Sequence, residues 1–249
     1  MEYDVVALGE LLIDFTENGK SNQGNPFFEA NPGGAPCNVL AMLTKLGHKT
    51  AFIGKVGEDF FGEQLRDAIT EVGIDADGLC TDKEIHTTLA MVHTYPDGDR
   101  DFSFYRNPGA DMMLNKEEIC EDIIKETKIF HFGTLSMTHE EVREATKEAI
   151  RIAEESGAVI SFDPNLRPPL WNSLDEAKEQ VLYGLKHCHI LKISDNEIQW
   201  LTGEEDYTAG VNWIRERYQI PLILVSMGKE GSRAYYNGMM VEAKPFLQK

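Results

Sequence analysis

The sequence predicts an α/β fold in which a mostly parallel sheet is covered by helices on both faces and a small β-sheet stands apart. Three observations predict it. Short apolar runs of buried-strand type alternate with amphipathic helical runs along the chain, the pattern of βα units. Two segments break that rhythm with the side-to-side alternation of half-exposed strands. With 249 residues, 42% of them hydrophobic, the chain holds one large core without internal repeats or low-complexity stretches.

The elements follow in order. "YDVVALGE" reads as a strand, and Pro36–Leu46 as a helix whose Val39, Leu40, Leu43 and Leu46 recur at helical spacing before Gly47 ends it. "TAFIGKVG" is a strand, and "DFFGEQLRDAITEVG" a helix capped by Asp59. "KIFHFG", "AVISFD", "HILKIS" and "LILVSMG" are short buried-type strands, separated by helices over Thr138–Ser156, Leu174–His187, Asp195–Thr202 and Thr208–Tyr218. The two rhythm-breaking segments lie at about residues 22–32 and 86–108, the second with a hairpin turn at Pro96–Asp99. They predict a small antiparallel sheet placed as a lid over the C-terminal strand ends, where α/β folds bind ligands.

Composition narrows the function classes. Forty-two acidic against twenty-four basic residues leave a net charge of −18, which disfavours a nucleic-acid or anionic-membrane surface. The N-terminus enters an apolar strand without the basic region of a signal peptide. No apolar run approaches the ~20 residues of a membrane span. Four scattered cysteines, Cys37, Cys80, Cys120 and Cys188, without a Cys-x-x-Cys pair, suit reduced thiols in a cytoplasm. A small-molecule protein of the cytoplasm is the expectation.

Five motifs bear on chemistry. In "NPGGAPCN", Gly33, Gly34 and Asn38 open a helix with Pro36 in its first turn. This is either a tight turn or a backbone wall against a small molecule, with the helix N-terminus aimed into the site. Asp14, after the first strand in "GELLIDF", is either a turn residue or an acceptor for vicinal hydroxyls. "SFDPNLRPPLW" sets Asp163, Asn165 and Arg167 on alternate positions past a strand end. "LKISDNEIQWLTG" places Lys192, Ser194 and Glu197 around a helix start, where Ser194 or Asp195 caps and Glu197 completes a capping box. "LVSMGKEGS", with Ser226, Gly228 and Gly231, lacks the Gly-Lys-Ser/Thr ending of a Walker loop. The "HCH" run at His187–His189 has no tetrahedral zinc spacing, so no metal site is expected.

Together these residues resemble the ribokinase-like (pfkB) sugar kinase family over essentially the whole chain. "NPGGAPCNVLAMLTKLGHKTAFIGKVGEDFFG" looks like its N-terminal signature, and "FYRNPGADMML", "FDPNLRPPLW" and "LKISDNEIQWLTG" look like bacterial fructokinases. The resemblance implies a Rossmann-like, three-layer α/β/α body with a β-sheet lid, and ATP-dependent phosphorylation of a sugar hydroxyl, fructose first. It implies that Asp14, Gly33, Gly34 and Asn38 contact the sugar, with Arg106 from the lid, Asn165 and Arg167 near the sugar or the moving phosphoryl group. Lys192, Glu197, Ser226, Gly228 and Gly231 would line the nucleotide side, with Glu197 helping to hold Mg2+ through water. A homodimer through the lid is also expected, from exposed Phe27, Phe28, Met91, Phe102 and Phe104.

One departure is large. The family's Gly-Ala-Gly-Asp turn, which supplies the anion hole and the catalytic Asp, does not occur before Lys249. The resemblance therefore implies a single domain that is C-terminally incomplete and nearly inactive as 249 residues. The alternatives are a non-catalytic sugar- or nucleotide-binding protein on the same fold, or a kinase for another substrate such as a nucleoside or 2-keto-3-deoxygluconate.

Overall fold

The computed structural model describes residues 2–94 and 100–245. The hairpin turn expected at Pro96–Asp99 lies outside them. In chain order the strands begin with β1 (Tyr3–Leu8), β2 (Leu12–Lys20), β3 (Pro26–Gly33), β4 (Thr50–Gly57), β5 (Asp75–Asp82), β6 (Leu89–Thr94) and β7 (Arg100–Tyr105). They continue with β8 (Thr127–Gly133), β9 (Val159–Asp163), β10 (Ile190–Ser194), β11 (Leu222–Ser226), β12 (Ser232–Tyr236) and β13 (Met239–Ala243). The α-helices are α1 (Ala35–Lys45), α2 (Phe60–Val72), α3 (Glu121–Lys125), α4 (Glu140–Glu155), α5 (Leu174–His187), α6 (Asp195–Thr202) and α7 (Tyr207–Tyr218).

The large sheet runs β13-β12-β11-β10-β9-β8-β1-β4-β5. It is parallel from β11 to β5, while β12 and β13 return antiparallel. Alternation along each strand divides the core in two. Val6, Leu8, Phe130, Phe132 and Phe162 join the cluster that includes residues of α3 to α7, whereas Val5, Ala7, Phe52 and Ile129 pack with Cys37 and Leu40 of α1 and Leu65 and Ile69 of α2. Strands buried on both faces read as continuous apolar runs, which is why these were visible in the sequence.

The second face of the sheet is not covered evenly. Helices α1 and α2 lie over β1, β4, β5 and β8. Beyond them, Leu222–Tyr236–Met239 and Leu224–Ala234–Val241 form cross-strand rows. Among the described residues, Leu224, Tyr236, Met239 and Val241 of those rows stay exposed.

Local chemistry explains the helix ends. Asp59 caps α2 by accepting from the Gly62 N–H at 2.9 Å, and Gly73 ends it at φ 95°. Ser194 and Glu197 form the capping box that starts α6. Helix α1 has a narrower buried face than its apolar spacing suggests: Leu40 is buried, but Val39 and Leu46 are exposed.

The second sheet has the order β3-β2-β6-β7. It is mixed rather than antiparallel, because β2 and β6 pair in parallel, Ile13 with Leu89 through Thr16 with Val92. Both strands leave the body in the same direction, and each is followed by its own antiparallel return, β3 and β7. Sequence reasoning missed β2, so Asp14 lies inside a strand and not in a turn. It also missed β5, whose "DADGLCTD" is poor in β-formers and is held by pairing with β4. The exposed apolar face expected of this sheet divides in two. Phe102 and Phe104, stacked at 6.0 Å, line the inner cavity described below, while Phe27 and Phe28 are solvent-exposed.

Candidate active site

Between the second sheet and the C-terminal strand ends lies a cavity of about 280 Å³. The second sheet contributes Leu12, Asp14, Thr16, Asn31, Val92, Phe102 and Phe104; the body contributes Glu10, Gly34, Ala35, Asn38, Leu135, Asn165 and Arg167. Strand alternation puts the polar members on one side: Asp14 pairs with Asn31 in the β2–β3 ladder, so both side chains point the same way as Thr16. Carboxylate, amides, a hydroxyl and a guanidinium converge beside two aromatic rings. Such a set recognises a small polyhydroxylated molecule, with acceptors and donors for its hydroxyls and apolar surface for its carbon face.

The Gly33–Gly34 turn shapes one wall. Gly34 adopts φ 131°, and a Cβ on it would overlap the Glu10 carbonyl oxygen, so only glycine fits this approach. The Ala35 N–H, at the open N-terminus of α1, donates to Glu10 Oε1 at 2.8 Å. Glu10 is buried, and burial foremost, with the nearby Asp111 charge, pushes its carboxyl up to about 7 against the opposing pull of its N–H donors and Arg106.

The opposite wall is the loop after β9. Asp163 Oδ1 accepts from the Asn165 N–H at 3.2 Å, and Asn165 takes φ 44°, a left-handed conformation that Asn tolerates. Arg167 reaches across to the second sheet, its guanidinium 5.9 Å from the Phe102 ring centre. Leu166 N–H, between these two residues, donates to Glu197 Oε1 at 2.7 Å.

Glu197, Lys192 and Ser194 line an adjoining groove that shares Asn165 and Arg167 with the cavity. Both Glu197 oxygens are engaged, since Oε2 accepts from Ser194 N–H and Oγ–H at 2.8 and 2.7 Å. Lys192 Nζ lies 3.1 Å from Asp163 Oδ2. Burial raises the Asp163 carboxyl, with Lys192 opposing and Glu197 adding to the rise. This donor set does not fit a direct magnesium cage, and among the described residues no group of three or more His, Cys, Asp or Glu is placed to hold a metal. Ser226 lines a separate shallow depression with Lys192, Leu224 and Val241. Gly228 and Gly231, at φ 51° and 102°, form the turn from β11 to β12 and line none of these cavities.

The structure therefore brings Asp14, Gly34, Asn38, Asn165 and Arg167 to one cavity, with Gly33 packed behind Asp14. Arg106 does not line it. Its Nε donates to Asp111 Oδ2 at 2.8 Å, Nη1 to Thr138 Oγ1 at 2.8 Å and Nη2 to the Leu135 carbonyl at 3.0 Å. Its side chain is buried, and each of its three nitrogens donates within the protein. His187 and His189 also have local roles: His187 Nδ1 is 2.8 Å from Glu154, and His189 Nδ1 accepts from the Ile160 N–H. Sequence reasoning passed over Glu10, Asn31, Phe102 and Phe104 as cavity residues. Glu10 and Asn31 stood inside quoted motifs, but nothing in their spacing distinguished them from loop and strand polarity.

Comparison with known proteins agrees with this architecture. The family description "pfkB family carbohydrate kinase" matches residues 3–249. The chain is 41% identical over 247 residues to probable fructokinase-4 of Arabidopsis thaliana, covering 97% of this chain and 75% of that protein. It superposes on the fructokinase with bound ATP from Xylella fastidiosa with a TM-score of 0.86 at 31% identity, covering 97% of this chain and 77% of that one. A double mutant of fructokinase from Vibrio cholerae O395, in a fructose, ADP and potassium ion bound form, gives 0.89 at 28% identity, covering 100% and 78%. The fold is the ribokinase-like α/β fold, a large mostly parallel sheet with a smaller sheet beside it, and the chain belongs to the pfkB family of carbohydrate kinases.

Proposed function

We propose that this pfkB protein is a fructokinase that binds fructose in the cavity between the two sheets and Mg-ATP in the adjoining groove. The observation that carries the reading is the convergence of Asp14, Asn38, Asn165 and Arg167 beside the Gly34 backbone wall. Asp14, Asn38 and Asn165 hold sugar hydroxyls, Gly33 and Gly34 admit the ring edge, and Arg167 faces the phosphoryl group at the junction of cavity and groove. Lys192, Glu197, Ser226, Gly228 and Gly231 belong to the nucleotide side, Glu197 by fixing the loop that separates the two sites. Magnesium enters with the nucleotide as part of the substrate. Fructose and ATP are supported by relatives named fructokinase and by the neighbours solved with those ligands.

The second sheet acts as a lid, and its exposed Phe27 and Phe28 suit a homodimer through that sheet. Free thiols at all four cysteines suit a cytoplasmic setting. A second reading is a non-catalytic sugar- or nucleotide-binding protein on the same fold, since the linings of the cavity and the groove by themselves account for binding.

Binding and turnover are therefore measured separately. Calorimetry with fructose, glucose, a nucleoside and 2-keto-3-deoxygluconate, alongside ATP, is expected to rank fructose first. Tighter binding of another acceptor would replace the proposed substrate. A coupled ADP-release assay separates the kinase from the binding protein.

A further inference from the structure

We propose that Glu10 is a positioning residue of the sugar cavity: its buried carboxylate acts as the remote cap of α1 and fixes the Gly34–Ala35 wall against which the sugar rests. This inference rests on the sugar-kinase reading of the cavity.

The geometry isolates the role. Gly34, at the N-cap of α1, has no side chain to satisfy the orphan N–H groups of the first turn, and no side-chain cap bond of its own exists there. Glu10 supplies the acceptor from 25 positions away, through Ala35 N–H at 2.8 Å. The same residue's carbonyl oxygen fills the space where a Cβ of residue 34 would stand. Backbone and side chain of Glu10 thus clamp one turn from two sides. That turn leads, within the first turn of α1, to Asn38, which lines the cavity with Glu10 itself. A carboxylate at a helix N-terminus is also favourably placed for the helix dipole.

This clamp responds to protonation. The charged groups around Glu10 are Asp111 and Arg106 from the segment after β7, and Asp14 of β2 and Arg167 of the β9 loop across the cavity. Cys37 of α1 also faces it, its thiol pushed up by burial foremost and by Glu10. Burial holds Glu10 near 7, so it is ionised above that pH and protonated below. The ionised form accepts from Ala35 N–H more strongly, since hydrogen bonds to a charged acceptor exceed neutral ones. Sugar affinity is therefore highest on the alkaline side and falls as pH drops through about 7.

The test is calorimetric binding of fructose between pH 5.5 and 8.5 to wild type, Glu10→Gln and Glu10→Ala, with ATP binding and thermal melting as controls. Wild type is expected to lose about tenfold in affinity across the range, an order-of-magnitude coupling for one protonation. Glu10→Gln keeps an acceptor for Ala35 N–H and does not titrate, so its affinity is flat with pH. Glu10→Ala binds weakly throughout. Pending its folding, the wild-type and Gln profiles decide the question by themselves. A flat wild-type profile, or an unchanged slope in Glu10→Gln, overturns the inference while leaving the sugar-kinase reading intact. Wild-type protein that binds ATP but no sugar at any pH overturns both.

Discussion

Gly33 stands against the carboxylate of Asp14, and a Cβ built on it would overlap Asp14 Oδ2. The two glycines of the "NPGGAP" turn thus solve different problems. Gly34 supplies a backbone conformation and close approach to Glu10; Gly33 leaves room for a side chain from the neighbouring strand.

Replacing Gly33 with Ala is expected to displace Asp14 and weaken fructose binding, with little loss of stability because the shift falls on one cavity side chain. Asp14→Ala should lose about 1–3 kcal/mol of binding, the usual penalty for leaving buried polar partners unpaired. Calorimetry on both variants checks the pair. Unchanged affinity in Asp14→Ala would remove it from the sugar site.

Arg106 gives a prediction of the opposite kind. Its ion pair with Asp111 is buried at both ends, and its Nη1 and Nη2 also donate to Thr138 and to the Leu135 carbonyl. Breaking such a pair from one side costs about 3–5 kcal/mol, because the other charge is left uncompensated. Arg106→Ala is therefore expected to lower the denaturation midpoint sharply, and Asp111→Ala to do the same. A variant of normal stability that has lost only sugar binding would return Arg106 to the site.

Asp59 ties three segments together, accepting from Gly62 N–H at the start of α2 and from the N–H and Oγ–H of Thr87. Burial pushes its carboxyl up, but these donors outweigh burial and hold it below the ordinary value of 3.8. A carboxyl lowered on folding contributes stability that is full above its unfolded value and is lost as pH falls through the folded one. Urea denaturation between pH 2 and 6 should show that loss in wild type and a shallower one in Asp59→Asn. The variant should also be about 1 kcal/mol less stable at neutral pH, as for other N-cap losses. Parallel profiles would assign the acid sensitivity elsewhere.

What the sequence made legible follows from how local each signal is. Helices α5 and α6 and the Asp59 cap of α2 are written in adjacent residues, so spacing and capping chemistry located them. Strand β2 was missed because "LIDFTENGK" turns polar halfway, and its identity as a strand comes from pairing with β3 and β6. The cavity was legible where a motif marks it, at Asp14, Gly34, Asn38, Asn165 and Arg167. Arg106, which the resemblance places near the sugar, does not line the cavity, and the partners that hold it, Asp111, Leu135 and Thr138, lie outside any local pattern. Glu10 was invisible for the same reason, since its partner is 25 residues away.

Glu197 tests whether a residue outside the proposed sugar cavity can set the cavity's shape. One oxygen accepts from Leu166 N–H in the β9 loop and the other from Ser194 at the start of α6. Leu166 sits between Asn165 and Arg167, which both line the cavity. Removing the carboxylate leaves the Leu166 N–H without its acceptor and deletes half of a capping box. Glu197→Ala is expected to lose about 1–3 kcal/mol of stability through those groups. It should also weaken fructose binding, because Asn165 and Arg167 lose the tie that fixes their loop. Glu197→Gln retains one acceptor oxygen but presents an amide N–H to a donor, so it should fall between wild type and Ala. Fructose affinity and melting temperature, measured together on the two variants, separate the roles. A fall in melting temperature with unchanged fructose affinity would reduce Glu197 to a helix cap; a matched fall in both makes it the link through which the nucleotide groove holds the sugar loop in place.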